Sequence, residues 1–411
     1  MPAEPSARAD DRLPTWSLFL VFTIVFVNFA GFSIVIPLLP FYGRLLQASP
    51  FEVTMLFAAY SFGGVFGELT WGRLSDRYGR RPILIATTLC AALGYVAFAY
   101  AASYPAALAI RVASGFFSGT MGVCSGMIAD VTRPEQRARA MGKLGAAINL
   151  GFAIGPALGG MLARPELGLA GFRLPILVAA AVAALAALWS LFVLTETNPG
   201  GPARPAPRWG EAFALVGADG LLLRLFAIAF IGIGTFASME AVFGLWTQHN
   251  FAWTTHEVGL TFIAVGLAGF LVQFGLIGPA TRRFGEGRVI VAGLVVLALS
   301  MVLQPVIRQP VAAVALMASL MCGHSIAFPS AGGLISRVTP GPSQGSVQGL
   351  LMAGNALARI LFPPLLGFVY ESAGPDAPYC LAAAIACIAI VLAVQVTGLR
   401  DAAVRPQPVP A

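Results

Sequence analysis

Long apolar runs recur along the chain, separated by short polar segments. Twelve of them approach the length of ~20 residues that a membrane-spanning helix needs. They lie near 16–40, 53–71, 83–102, 106–128, 144–164, 174–194, 221–246, 258–278, 289–307, 311–336, 347–370 and 379–399. The runs lack the alternation of apolar and polar positions that strands of a membrane barrel show. The pattern therefore predicts an all-α protein with twelve transmembrane helices, numbered spans 1 to 12.

A stretch rich in proline and glycine divides the spans six and six. It reads GGPARPAP and is typical of a flexible linker. We expect five regions: a cytoplasmic tail at 1–14, a six-helix bundle at 15–196, a cytoplasmic linker at 197–218, a second six-helix bundle at 219–399 and a cytoplasmic tail at 400–411.

The two halves resemble each other in sequence. Residues 130–160 and 337–367 are identical at nine of 31 positions with an offset of 207, and the segments 76–83 and 282–289 match less closely at an offset of 206. Duplicated six-helix halves are typical of transporters, whose substrate site lies near the membrane midplane where the halves meet. The repeat therefore predicts two pseudo-symmetric halves with a site between them.

Composition and charge agree with a membrane protein. The chain is 58% hydrophobic and 10% charged, whereas a soluble domain carries about 25% charged residues. Its net charge of +7 would suit a nucleic-acid partner, but 19 of the 25 Lys and Arg residues fall on segments predicted to be cytoplasmic or on helix starts. This bias is typical of membrane topology, with both termini in the cytoplasm, so we expect a lipid bilayer and no nucleic acid.

Candidate catalytic and metal-binding groups are sparse. The five cysteines form no CxxC pair, and the three histidines have no metal-ligand spacing. No pattern suggests a nucleophile with its base. We therefore expect no metal, no cofactor and no enzymatic activity.

The segment after span 2 reads GRLSDRYGRRP, from Gly72 to Pro82. Its arginines alone would indicate only a loop that sets topology. Gly72 and Gly79 permit tight turns, and Asp76 between them is placed to cap a neighbouring helix.

This segment matches G-x-L-[AS]-D-R-x-G-R-[RK] at every position. With its twelve spans, the chain resembles the major facilitator superfamily, most closely the drug–proton antiporters that include tetracycline efflux pumps. The resemblance implies a conformational latch between this segment and the end of span 4. Its members would be Asp76, Arg77, Arg80, Arg81 and Asp130.

Span 5 contains GFAIGPALGG, residues 151–160. Gly151, Gly155 and Gly159 share one helix face and permit close helix contact, and Pro156 can bend the helix. Tight packing of a kinked helix would explain these residues without a further role. The resemblance associates the whole motif with exporters and implies a helix that rocks during transport.

Arg111 and Gly115 in span 4 match the antiporter motif of the same family. An arginine inside a span usually faces a cavity or a carboxylate. Arg111 lies ~8 Å from the predicted outer end of its helix, so extension of its side chain to the outer headgroups is the alternative.

The run FASMEAVFGLW in span 7 carries a single acid, Glu240. Burial disfavours a charged carboxylate, so such a group can exchange protons near neutral pH. A static pair with an arginine and a contact with a cationic substrate are the alternatives. Related antiporters often carry an aspartate in span 1, but Asn28 occupies that position and cannot exchange protons. Proton coupling therefore either depends on Glu240 or is absent.

Arg359 lies close to mid-depth in span 11, too deep to reach the headgroups easily. We expect it to hold an anionic or carbonyl group of a substrate or to pair with Glu240. Asn355 lies one turn away on the same face. The candidate cavity residues are Asn28, Gln273, His324, Asn355 and Arg359.

These features predict a secondary active transporter that exports small amphipathic molecules or drugs by alternating access, coupled to protons. A facilitator or importer of a small nutrient, such as a sugar or organic acid, is the first alternative, and a membrane receptor that transports nothing is the second. The expected partners are a small-molecule substrate, protons and the bilayer. We expect a monomer in a bacterial inner membrane.

Overall fold

The structure is a computed structural model that describes residues 15–132, 134–198, 209–340 and 343–404. Eleven helices in these ranges are long and apolar enough to cross a membrane, and a bent pair supplies a twelfth span. The spans are Thr15–Val35 with Leu39–Leu45, Pro50–Tyr78, Arg80–Ala99, Tyr104–Val131, Pro134–Leu162, Pro165–Val193, Gly220–Phe251, Thr255–Phe284, Glu286–Val306, Pro310–Val338, Gln344–Ala373 and Ala377–Val404. The predicted all-α fold with twelve spans is confirmed.

The helices extend beyond the apolar runs that predict them. Span 2 continues to Tyr78, so most of GRLSDRYGRRP is helical and the predicted turn at Gly72 is wrong. The break is at Gly79, whose φ of 98° lies in the region that glycine adopts without strain. Gly285, between spans 8 and 9, has a φ of 79° at the matching place of the second half. Each glycine directly precedes the first residue of a helix.

Spans 1, 4 and 8 are interrupted within their apolar runs. Span 1 bends by 50° around Ile36–Leu38, a segment that includes Pro37, where a backbone donor is missing. Span 4 breaks between Ser118 and Met121. Span 8 contains the π-helical turn Val272–Leu276, a feature frequent at functional sites.

The two halves pack together at one face of the membrane and part at the other. Span 1 begins and span 12 ends at the same face, which we call the terminal face; the opposite one is the far face. At the far face one core cluster contains side chains of both halves, such as Leu39 and Tyr42 with Phe243 and Trp246. Towards the terminal face each half has a separate cluster. The space between the halves is therefore closed at the far face.

Two glycines that the sequence repeat pairs make matching contacts between the halves. A Cβ on Gly160 of span 5 would lie 2.6 Å from the Cα of Gly259 in span 8. A Cβ on Gly367 of span 11 would lie 2.0 Å from Oγ1 of Thr54 in span 2. Closure of the far face therefore depends on helix contacts that only glycine permits.

A charged contact also joins the halves at the far face. The backbone N–H of Phe51, in the first turn of span 2, donates to the carboxylate of Glu371 near the end of span 11. A carboxylate is favourable there because the helix N-terminus carries partial positive charge.

The end of the predicted linker is helical. Residues 199–208 lie outside the described ranges, as do residues 1–14 and 405–411 of the predicted tails. The helix Trp209–Ala218 follows, and its Ala212 and Val216 are buried in the core cluster of the second half. Ten residues assigned to the linker therefore pack on the second bundle.

Candidate functional site

Glu240 and Arg359 meet in the middle of the second half, where spans 7 and 11 pack side by side. Oε2 of Glu240 lies 3.8 Å from Nη1 of Arg359, an ion-pair distance too long for a hydrogen bond. The Glu240 side chain is 7% exposed, whereas that of Arg359 is 27% exposed. The pair is therefore loose, in the sense that the two side chains are close but not hydrogen-bonded, and the guanidinium of Arg359 is partly exposed.

An aromatic stack lies beside this pair. The ring of His324 in span 10 is nearly parallel to that of Phe236, with centroids 4.2 Å apart, and to that of Phe328, with centroids 5.4 Å apart. A small cavity borders the stack, lined by His324, Phe328, Gly232 and apolar side chains of spans 7, 9 and 10. Parallel rings of this kind suit a flat apolar group as a neighbour. Of these residues, only His324 was a candidate from the sequence.

Asn355 is buried one turn before Arg359 on the same helix. Its Oδ1 accepts no hydrogen bond from the described residues. A buried acceptor without a partner costs about 1–3 kcal/mol, so this atom favours a donor from a ligand or from water.

Asn28 and Gln273 belong to spans 1 and 8, whereas this group is formed by spans 7, 10 and 11. Asn28 in span 1 donates from Nδ2 to Oγ1 of Thr120, 3.3 Å away at the break in span 4. Gln273 lies half-buried in the π-helical turn of span 8. None of the interactions found among the described residues joins either side chain to Glu240 or Arg359.

Arg111 points into the first half instead of extending to the far face. Its side chain is buried, and Nε donates to the backbone carbonyl of Leu56 at 3.1 Å. The guanidinium lies 4.5 Å from the ring centroid of Tyr60, within the range of cation–π attraction. Gly115 packs against span 2, since a Cβ there would lie 1.9 Å from the carbonyl oxygen of Tyr60.

The glycine face of span 5 packs on span 1. At Gly151, Gly155 and Gly159 an added Cβ would lie 1.9–2.9 Å from atoms of span 1, most of them backbone. Oγ of Ser33 also donates to the carbonyl of Gly151 at 2.9 Å. These three contacts lie within one half, whereas Pro156 approaches the other half, with its carbonyl oxygen 3.1 Å from the Cβ position of Gly259.

Arg80 is the centre of the charged cluster between spans 2, 3 and 4. Its guanidinium pairs with Asp130 at 2.6 Å and with Asp76 at 3.0 Å, and it also donates to Oγ of Ser75. The Arg80 side chain is 3% exposed. The carboxylates of Asp76 and Asp130 therefore compensate the buried positive charge of Arg80.

Arg77 and Arg81 make contacts other than these ion pairs. Arg77 is exposed and lies over the ring of Tyr78. Arg81 donates to the carbonyl of Leu191 at the end of span 6. The cap on span 3 comes from Glu196, which accepts the backbone N–H of Arg80 and of Arg81, rather than from Asp76. No motif in the sequence points to Glu196.

The second half contains an ion pair at the matching place, with the charges exchanged. Glu286, the first residue of span 9, is buried, and it pairs with Arg337 at the end of span 10 at 3.0 Å. The repeat offsets align Glu286 with Arg80 and Arg337 with Asp130. The sequence repeat thus relates the two sites, and charge exchange between them hides the match at the level of residue identity.

Loss of Asp130 should destabilise the protein more than loss of Asp76. Breaking a buried ion pair costs about 3–5 kcal/mol where nothing else compensates the charge, and we expect Asp130→Asn to fall near the lower end because Asp76 remains. Asp76 is somewhat more exposed, 19% against 12% for Asp130, and its contact with Arg80 is longer, so Asp76→Asn should cost less than Asp130→Asn. Thermal unfolding of both purified variants measures the difference; a larger loss for Asp76→Asn would contradict this ranking.

Comparisons with known proteins place the chain among membrane transporters. The model of the Major Facilitator Superfamily matches residues 21–248 and 225–410. The tetracycline resistance protein, class C, of Escherichia coli is 30% identical over 369 residues, which cover 87% of this chain and 90% of that protein. Multidrug resistance protein 1 of Bacillus subtilis (strain 168) is 26% identical over 379 residues, which cover 92% of this chain and 95% of that protein.

A solved structure has the same fold. A bacterial homolog of the human lysosomal transporter Spinster, in an inward-facing and occupied conformation, superposes with a TM-score of 0.78 at 15% identity, and the match covers 98% of this chain and 100% of that one. With two pseudo-symmetric halves, twelve spans and these matches, the chain belongs to the major facilitator superfamily.

Proposed function

We propose that the protein exports small amphipathic molecules or drugs by alternating access and draws energy from protons that move the opposite way. The observation that carries this proposal is the loose pair of Glu240 and Arg359, a titratable group beside a partly exposed cation deep in the spans. The relatives named above for tetracycline and multidrug resistance support export rather than import.

The membrane orientation follows from the charge bias. The terminal face carries most of the Lys and Arg residues, so we assign it to the cytoplasm of a bacterial cell with its inner membrane around the spans. Closure at the far face then makes this an inward-facing conformation. The protein would act as a monomer, since each half already meets its counterpart within one chain.

Proton coupling is assigned to Glu240. In the inward-facing state Arg359 favours the deprotonated carboxylate, which promotes proton release to the cytoplasm. In the outward-facing state the carboxylate would bind a proton from outside and release its substrate. Asn28 cannot share this role because an amide does not exchange protons and it donates to Thr120 within the first half.

The clusters around Arg80 and around Glu286 are assigned to the conformational change. Each ties the start of one helix to the end of the next within its own half. Each half can then move as one body while the contacts between the halves break and form. For Asp76→Asn we expect normal insertion but slower transport.

Transport in proteoliposomes tests the proposal. Vesicles containing the purified protein and a fluorescent amphipathic dye should move the dye against its gradient when a pH gradient is imposed. Collapse of the pH gradient with a protonophore should abolish this movement. Dye movement at the same rate without a pH gradient would overturn proton coupling, and the absence of any movement of dyes or drugs would overturn export.

A further inference from the structure

Among the described residues, the pair of Glu240 and Arg359 differs from other ion pairs in which at least one side chain is buried. Arg80 pairs with Asp130 at 2.6 Å, and Glu286 pairs with Arg337 at 3.0 Å. Between Glu240 and Arg359 the gap is 3.8 Å. An arginine and a carboxylate held together for stability usually form one or two short hydrogen bonds. Two opposite charges are therefore held close at this point without being bonded to each other.

On the arginine side, the surroundings offer partial exposure and further polar groups. The Arg359 side chain is more exposed than that of Glu240. Asn355, one turn away, has a buried Oδ1 without a partner. His324 is close enough to Arg359 for the two to interact electrostatically, and its ring lies in the stack with Phe236 and Phe328. A cation, an anion, an unused acceptor and an aromatic stack therefore lie around one site.

The two opposite charges restrict which substrates can exchange with a proton. A purely cationic substrate would be attracted by Glu240 but repelled by Arg359. A purely anionic substrate would bind Arg359 best when Glu240 is protonated. Such a substrate would bind together with the proton and cross the membrane in the same direction, which is the opposite of antiport. Only a substrate that carries both charges satisfies both groups and keeps Glu240 deprotonated.

We propose that the site recognises zwitterionic aromatic molecules. The cationic amine of the substrate lies at Glu240, its anionic oxygen lies at Arg359, and its flat ring packs near the stack of Phe236, His324 and Phe328. Substrate binding separates Glu240 from Arg359. Two contacts with the substrate then replace the one contact between these side chains. Because the amine and the proton compete for Glu240, proton binding from outside releases the substrate. This inference rests on the proposed antiport.

Binding of three matched compounds tests the inference. A piperazinyl quinolone carboxylic acid carries both charges, its methyl ester carries only the amine charge, and its N-acetyl derivative carries only the carboxylate. Titration into the purified full chain should show that the acid binds about tenfold or more tightly than either derivative, since each charged hydrogen bond contributes at least that factor.

Variants of the two charges separate their roles. In Arg359→Gln the acid should lose its advantage over the ester, and in Glu240→Gln it should lose its advantage over the N-acetyl derivative. Arg359→Lys retains the charge and should retain a preference for the acid, which controls for damage to the fold. Equal or tighter binding of the ester by the native protein would overturn the inference, as would an equal loss for all three compounds in both variants.

The outcomes separate this inference from the proposed function. If a dye still moves under a pH gradient but the quinolone acid has no advantage, export stands and zwitterion recognition fails. If the acid binds best but no substrate moves under a pH gradient, the recognition stands and antiport fails.

Discussion

Replacing Glu240 with glutamine should abolish uphill transport while leaving downhill movement intact. A proton that crosses one pH unit supplies ~1.4 kcal/mol, which equals about tenfold accumulation of substrate. The native protein should therefore approach tenfold accumulation per pH unit in proteoliposomes. Glu240→Gln should reach only equal concentrations on both sides, because an amide neither binds nor releases the driving proton.

Two control variants test whether the loss of uphill transport reflects lost proton coupling or general damage to the protein. Glu68 is the acid of the predicted apolar run 53–71 and is exposed on span 2. Glu68→Gln should keep gradient-driven accumulation. The double variant Glu240→Gln with Arg359→Gln removes both charges of the site, so it tests whether an uncompensated arginine is the cause of the loss. Accumulation by Glu240→Gln that still follows the imposed pH gradient would exclude Glu240 as the coupling group.

Replacing Gly160 with valine should shift the protein towards a conformation open at the far face. An added Cβ would lie 2.6 Å from the Cα of Gly259 and 2.6 Å from the carbonyl oxygen of Thr255, and backbone atoms cannot turn aside. Overpacking of this kind costs about 1–3 kcal/mol, which is about a 5- to 150-fold shift in the population of the two states. The contact lies between the halves, so each half should still fold.

Distances between spin labels measure this shift. Ser103 and Gln309 are exposed at the far face, one in each half, and Ser103→Cys with Gln309→Cys in a chain without its native cysteines gives one label on each. Pulsed electron paramagnetic resonance should show a longer main distance in Gly160→Val. Met161→Val, at an exposed neighbour of the same helix, should leave the distance unchanged. An unchanged distance in Gly160→Val would refute this role of the glycine.

Gly155→Val provides the contrast within one half. A Cβ at Gly155 would meet Ser33 and backbone atoms of span 1, all in the first bundle. Its substitution should lower the thermal stability of the protein rather than change the distance between the halves.

Most of the fold could be predicted from the sequence because a bilayer leaves few alternatives to apolar helices. The helix ends were less predictable, since polar residues such as those from Arg73 to Tyr78 continue a helix beyond the apolar run. Packing on the second bundle made Trp209–Ala218 helical where the sequence suggested a linker. The broken spans were also missed, because local backbone geometry depends on neighbouring helices.

The candidate site was partly predictable for a similar reason. Glu240 and Arg359 were singled out because charges inside spans are rare, and the structure brings them together. Which face of a helix points at the site cannot be derived from apolar runs. The cavity role of Asn28 therefore stays a prediction, and the structure shows that its amide donates to Thr120. Phe236 and Phe328 were missed because aromatic residues are common throughout such spans.

Proton release on substrate binding is the most direct measurement of coupling at Glu240. Purified protein in weak buffer receives a saturating zwitterionic substrate at a series of pH values from about 5 to 8, and a pH indicator records the protons released. Competition for Glu240 predicts that release rises towards one proton per bound substrate as the pH falls and the empty site becomes protonated. Glu240→Gln should bind substrate without any release. Substrate binding by the native protein with no proton release at any pH, or with proton uptake, would contradict antiport through Glu240.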